Sequence, residues 1–330
     1  MLPTDRVLLL AATALLILIG LADLPLSPEE LHPGDTRIDA ALTQGVIDHM
    51  RAGTGYYDAM ETALRTQGYA LRPFPAFRLP LLAKFTAMFP TSAGPRVLLI
   101  TLSLAVWLTW ILRMQSRWTL IIGGSLLTFP IAMALVPRAL LFHDMWAGLL
   151  IALALGLHSR SRWAAVACGV IALGIREHAV IFAGVMLLCA RHDRRERLAW
   201  AAAIAGFTIY ILIHAWVVSG HVLPNDRARN WVAFAGWSFI VSTARWTWLT
   251  IFSPDAISAV VMPMALLGLA HLKDCRPLAV VGAYVTVFMF IGQPDDWYWG
   301  FLYSPLLAVG IAHAPVLTQP SGLVGGSKDS

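Results

Sequence analysis

The stretch WAAVACGVIALGIREHAVIFAGVMLLCA, residues 163–190, decides how this chain folds. Apart from Arg176, Glu177 and His178 it is apolar or small throughout. As one helix, its roughly 28 residues at ~1.5 Å each would run to about 42 Å, well beyond the ~30 Å hydrocarbon core of a bilayer. That helix would also carry three ionisable groups at its middle, where nothing solvates them. Two helices, 163–175 and 179–190, meeting at a polar turn satisfy both constraints. The turn then lies at one face, and the basic residues flanking the stretch lie at the other: Arg160 and Arg162 before it, and Arg191, Arg194, Arg195 and Arg197 after it.

Working outward, the composition supports a membrane chain. Of the 330 residues, 58% are hydrophobic and 13% charged, where soluble domains carry roughly a quarter charged. Apolar runs fall at 7–23, 96–112, 118–136, 145–158, 163–175, 179–190, 198–218, 256–271, 277–292 and 300–316. Arg6, Arg113, Arg117, the six arginines named above, Lys273 and Arg276 occupy alternate connections. By the rule that basic residues stay inside, about ten spans put both termini in the cytoplasm. The expected fold is an all-α, polytopic transmembrane bundle forming one domain over 1–318, with a disordered cytoplasmic tail over 319–330. No small-x-small cleavage site follows Val7–Gly20, so that run reads as the first span. The expected location is the cell inner (cytoplasmic) membrane, with the active face periplasmic. The net charge of +5 sits in short clusters, not in a stripe with interleaved aromatics, which argues against a nucleic-acid partner. Cys168, Cys189 and Cys275 are too few and too scattered for a disulfide framework or a zinc site.

The non-cytoplasmic face then receives the unusual chemistry. It holds an outer loop over 24–95, with helical stretches near 36–52 and 56–68 separated by Gly53-Thr54-Gly55. It also holds the turn Pro137–Asp144, the triplet 176–178, the segment Ser219–Asp255 and the run Gln293-Pro294-Asp295-Asp296-Trp297-Tyr298-Trp299. Asp35 reads first as the N-cap of a helix from Thr36, and second as a general base or metal ligand. Asp144, beside His143, suits either a helix N-terminus or a polar site. Arg176 matches phosphate geometry, or with Glu177 makes an ion pair that fixes the turn. Asp295-Asp296 is weak evidence for a metal or acid–base pair, because adjacent acids point different ways. Trp297, Tyr298 and Trp299 are interfacial anchors or a platform for a sugar ring, and Trp231, Trp237, Trp246 and Trp248 suit the headgroup layer. Tyr56-Tyr57 and Phe77-Arg78-Leu79-Pro80 read as structural or lipid-facing, and His192 and Asp193 as solvated. There is no Gly-rich phosphate loop, zinc spacing or serine elbow, so no nucleotide cofactor has a visible docking site.

In order along the chain stand Gly34-Asp35-Thr36-Arg37, Gly55-Tyr56-Tyr57, Phe77-Arg78-Leu79-Pro80-Leu81, His143-Asp144-Met145-Trp146-Ala147-Gly148, Ile175-Arg176-Glu177-His178 and Asp296-Trp297-Tyr298-Trp299-Gly300. This order resembles the GT-C class of polytopic membrane glycosyltransferases, in the bacterial branch related to lipid-A aminoarabinose transferase and protein mannosyltransferases. The resemblance implies transfer of a sugar from a polyprenyl-phosphate carrier to a glycan, lipid or protein acceptor on the outer face. Asp35 and Asp144 are then the catalytic candidates. Arg176, Arg78 and His143 are candidates for the carrier phosphate, and Glu177, Tyr57, Asp296, Trp297 and Tyr298 for the substrate. A divalent cation, Mg or Mn, stays open, with Asp35 as its candidate ligand. The expected partners are the polyprenyl-linked donor and membrane lipid. Two other classes compete: a secondary transporter using Arg176, Glu177 and Asp144 as ligands, and a non-catalytic membrane assembly protein. A transporter would be expected to show internal repeats, and the sequence has none.

Overall fold

A computed structural model describes residues 3–22, 36–230 and 234–314, with side chains described for 7–22, 40–230 and 234–314 except Pro294. Among the described residues fifteen α-helices follow one another without a β-strand: α1 (Pro3–Ala22), α2 (Thr36–Arg51), α3 (Tyr56–Thr66), α4 (Pro80–Ala87), α5 (Ala93–Ile111), α6 (Arg117–Leu126), α7 (Phe129–Leu135), α8 (His143–Leu157), α9 (Arg162–Ile175), α10 (Ala179–Cys189), α11 (Arg194–Ser219), α12 (Gly236–Thr243), α13 (Asp255–Leu269), α14 (Arg276–Ile291) and α15 (Ser304–His313). The stretch 163–190 does break in two, and Arg176 leaves α9 with extended backbone (φ −140°, ψ 122°). The tail 319–330 lies outside the described residues.

Each of the ten apolar runs contains helix, but their lengths differ from full crossings. Ala93–Ile111, Arg117–Leu135 and Arg194–Ser219 are long and apolar enough to cross a membrane, and seven further apolar helices are shorter. A 15-residue helix reaches only about 22 Å. The run at 118–136 is divided into α6 and α7, with Pro130 in the first turn of α7 removing a backbone donor. The outer surface is apolar where lipid would lie. On α11, Ile209, Leu212, Ile213 and Trp216 are exposed, and on α5, Val97, Leu104 and Leu108 are. Water does not tolerate apolar surface on that scale, and hydrocarbon does.

Small residues let the helices approach closely. A Cβ on Gly268 would meet the backbone of Gly310, and one on Gly310 would meet the Ala265 carbonyl, so α13 and α15 cross almost backbone to backbone. A Cβ on Gly148 would likewise strike the Phe301 carbonyl, which seats the 3₁₀ segment Pro294–Leu302 against α8. A separate small core joins α2, α3 and α4 through Val46, Ile47, Tyr56, Met60, Leu64 and Ala83, with Phe77 beside them. The segment 221–229 docks on it: Arg65 grips Asp226 through Nη1 at 2.7 Å and Nη2 at 3.0 Å, and Arg229 N donates to Arg72 O at 2.9 Å.

Two local expectations change. Trp237 and Trp246 do not form a headgroup belt. Both are buried, and Trp246 stacks on Trp297 at 4.6 Å with an interplanar angle of 3°. Trp248 is partly exposed, 42%, and Trp231 lies outside the described residues. Asp193 is not merely solvated: it caps α11 by accepting the Arg195 and Glu196 amides at 3.0 and 3.1 Å, and it pairs with Arg162.

Candidate functional site at the start of α8

Asp144 sits in the first turn of α8, where the exposed amides of a helix N-terminus favour an anion. Arg176 enters from the end of α9 and is fully buried. Its Nε donates to Asp144 Oδ1 at 2.8 Å and its Nη1 to Glu177 Oε1 at 2.9 Å. Burying a guanidinium is costly unless acids answer it, and here two do. The guanidinium has a third nitrogen. Nη2 is buried and has no hydrogen-bond partner among the described residues, and the same holds for His143 Nε2 and His178 Nδ1. His178 packs on Trp299 with ring centroids 4.4 Å apart, and Arg176 lies over the same indole at 6.0 Å.

A second group meets the first. Arg78, carried by the chain just before α4, donates through Nη2 to the Tyr298 hydroxyl at 2.6 Å. Tyr298 in turn donates to Asp296 Oδ1 at 3.2 Å. Asp296 Oδ2 takes Arg229 Nη2 at 3.3 Å, while Asp295 accepts both Arg229 nitrogens at 2.9 and 2.5 Å. Arg78 stands close enough to act electrostatically on His143, Asp144, Arg176 and Glu177. Burial pushes the Asp296 carboxyl up to about 7, against the pull of Arg229. Backbone contacts hold the frame, since the Tyr56 hydroxyl donates to the Arg78 carbonyl and Tyr284 donates to the His178 carbonyl at 3.0 Å.

Beside the cluster lies a cavity of about 260 Å³ whose walls include Phe77, Glu177, His178, Phe207, His214 and Ile291. A larger groove of about 710 Å³ continues past Phe207 between α4, α9 and α11, with Lys84 and Tyr210 as its polar members. Tyr57 reaches this region through His214. The His214 Nε2 lies 2.9 Å from the Phe77 carbonyl, which can only accept, so its Nδ1 accepts from the Tyr57 hydroxyl at 3.1 Å.

Of the residues expected at the site, His143, Asp144, Arg176, Glu177, Arg78, Tyr298 and Asp296 come together. Tyr57 stands behind the cavity wall, and Trp297 lies flat on Trp246 in the neighbouring aromatic stack. Asp35 lies outside the described residues, although α2 does begin at Thr36. Sequence reasoning missed Arg229 and His214 as parts of the site. Arg229 carried no local signal, standing beside Arg227 among the several arginines of the segments between apolar runs. Both acids of Asp295-Asp296 bond Arg229, and Asp144 bonds Arg176. Among the described residues no three ligating side chains come together as a metal centre. No family model, curated protein or solved structure matches the chain.

Proposed function

We propose that this chain is an integral protein of the cell inner membrane, crossing it about ten times with the basic connections and both termini cytoplasmic, and that it transfers a sugar from a polyprenyl-phosphate carrier to an acceptor at the outer face. The seven short apolar helices then cross where the bilayer is locally thin or the chain continues irregularly. The observation that carries the reading is Arg176 itself: a buried guanidinium, neutralised by Asp144 and Glu177, with one nitrogen still without a partner, behind Glu177 and His178 in the wall of an apolar cavity. An intramembrane cation of this kind is by default functional, and a planar guanidinium fits phosphate oxygens. Two acids hold it at fixed geometry, so no reorganisation is needed as charge develops.

In this reading the polyprenyl chain lies in the groove bounded by Phe207 and Tyr210, and the carrier phosphate meets Arg176 and Arg78. The acceptor hydroxyl loses its proton to a carboxylate, for which Asp35 is the candidate. Its oxygen forms a bond to the anomeric carbon, and the bond from that carbon to the phosphate oxygen breaks. The electron pair leaves with the polyprenyl phosphate, whose new charge the two arginines stabilise. Asp144 acts as a positioning residue in this geometry, because its carboxylate is committed to Arg176.

The test is transfer of labelled sugar from a panel of polyprenyl-phosphate sugars to a broad acceptor mixture, using purified wild type and Asp35→Asn. Transfer by wild type that Asp35→Asn abolishes, with the variant still folded, supports the enzyme and its base. No transfer from any donor by intact protein, together with solute uptake by reconstituted vesicles, sinks it in favour of a transporter.

A further inference from the structure

The opposite end of the bundle holds a second concave region that the proposed reaction does not use. Between the α5–α6 turn, the α13–α14 turn and the end of α15 lies a cavity of about 500 Å³, within the size range of small-molecule sites. Arg113, His271, Lys273 and His313 line it, with Ser116 and one carboxylate, Asp274. The acid is already engaged, accepting the Arg276 amide at 3.1 Å and its guanidinium at 3.2 Å. Arg113 is held in place by the last carbonyls of α8, donating to Leu155 O at 3.1 Å and Gly156 O at 2.7 Å. Both histidines set Nδ1 on a carbonyl one turn back, His271 on Leu267 O at 3.1 Å and His313 on Val309 O at 2.8 Å. A carbonyl only accepts, so Nδ1 carries a proton in each ring, and Nε2 donates to an anion when the ring holds a second proton. Four nitrogenous side chains from three elements thus converge on a cavity whose single acid is spent on a neighbour.

We propose that this cavity binds the phosphate of an anionic phospholipid headgroup. The cavity opens at the helix ends, at headgroup depth for a chain that crosses the membrane. Leu112, which also lines it, is 59% exposed on the lipid side of α5 and offers the acyl chain a path. Basic pockets between helices at the cytoplasmic side suit such headgroups, and guanidinium suits phosphate oxygens. The inference rests on membrane insertion and not on sugar transfer. Along α8 the cavity lies about 18 Å from Asp144, at ~1.5 Å per residue.

The same phosphate chemistry could come from soluble phosphate, and the test separates the two sources. Purified protein is reconstituted in nanodiscs of phosphatidylcholine with or without phosphatidylglycerol, and retained lipid is read by native mass spectrometry. Wild type should retain phosphatidylglycerol in preference to phosphatidylcholine. The double variant Lys273→Ala/His271→Gln should lower that preference about tenfold, as expected for losing charge-assisted contacts, while Lys273→Arg keeps it. Arg194→Ala/Arg195→Ala removes exposed charge outside the cavity and should leave it unchanged. Equal retention by the double variant, or an equal loss in Arg194→Ala/Arg195→Ala, overturns the site. Saturable binding of inorganic phosphate that displaces the lipid overturns the lipid as its ligand.

Discussion

The two ends of α8 each hold an arginine, and they hold it in opposite ways. At the first turn, Arg176 is fully buried and answered by two carboxylates. At the last turn, Arg113 is half-buried and answered by two backbone carbonyls of α8, with its face over Trp110. The second arrangement is cheap. The C-terminal end of a helix is already negative, and water reaches the rest of the guanidinium. The first arrangement is expensive, since a buried charge is tolerated only with partners that are buried with it. The two ends therefore differ in how much the fold depends on each residue. The costly end, where burial makes electrostatics strong, is where chemistry is proposed.

The largest expected effect breaks the costly end. Asp144→Ala leaves Arg176 without its main acid and should destabilise the protein by about 3–5 kcal/mol, measured by denaturation in detergent. Arg113→Ala should cost only about 1.5–3 kcal/mol. A combined Asp144→Leu/Arg176→Met change should recover part of the loss of the single variant, because no orphaned charge remains. If Arg113→Ala proves as damaging as Asp144→Ala, the contrast between the ends fails.

Next in size is the seam between α8 and the segment that carries Tyr298 and Trp299. Gly148→Ala places a methyl against the Phe301 carbonyl and should cost about 1–3 kcal/mol. Crosslinking between engineered cysteines near residues 78 and 298 would register the shift, while the cavity at Lys273 should be unmoved.

A smaller effect follows from acid. Burial acts to raise Glu61, but its bonds to His221 and Arg65 leave it below its ordinary value of 4.5. The Arg65 guanidinium and the Leu223 amide hold Asp226 below its ordinary 3.8. For groups lowered on folding, stabilisation is complete above the ordinary value and is lost as pH falls through the folded one. Docking of residues 221–226 on α3 should thus be intact at pH 7 and loosen progressively below about pH 4. Hydrogen exchange in that segment at pH 3 and pH 6, corrected for intrinsic rates, checks this. The smallest change is expected at Asp193, where Asn also caps a helix. Asp193→Asn should leave thermal stability nearly unchanged, since Asn keeps the cap.

Much of this frame was legible in the sequence because charge is expensive in an apolar run. Arg176-Glu177-His178 marked the turn that separates α9 from α10. The helices of the outer loop were legible from Gly53-Thr54-Gly55 between two helical patterns. Three things were not. Hydropathy cannot separate a side facing lipid from one facing protein, since both are apolar, so Trp237 and Trp246 read as interfacial when they are core. It cannot place a helix start where a run opens in a 3₁₀ segment, so α15 begins at Ser304 and not at residue 300. It also cannot pair residues far apart in the chain: nothing local says that Arg229 belongs to Asp295 and Asp296, or that Arg78 meets Tyr298.

The most direct test of the account compares sugar transfer by purified wild type, Arg176→Lys and Arg195→Ala, with polyprenyl-phosphate sugars as donors. The account predicts transfer by wild type and Arg195→Ala, and a loss of at least about a hundredfold in Arg176→Lys, which keeps the charge but not the planar fork. Undiminished transfer by a folded Arg176→Lys would contradict the role given to this end of α8, and absence of transfer by all three would contradict the activity itself.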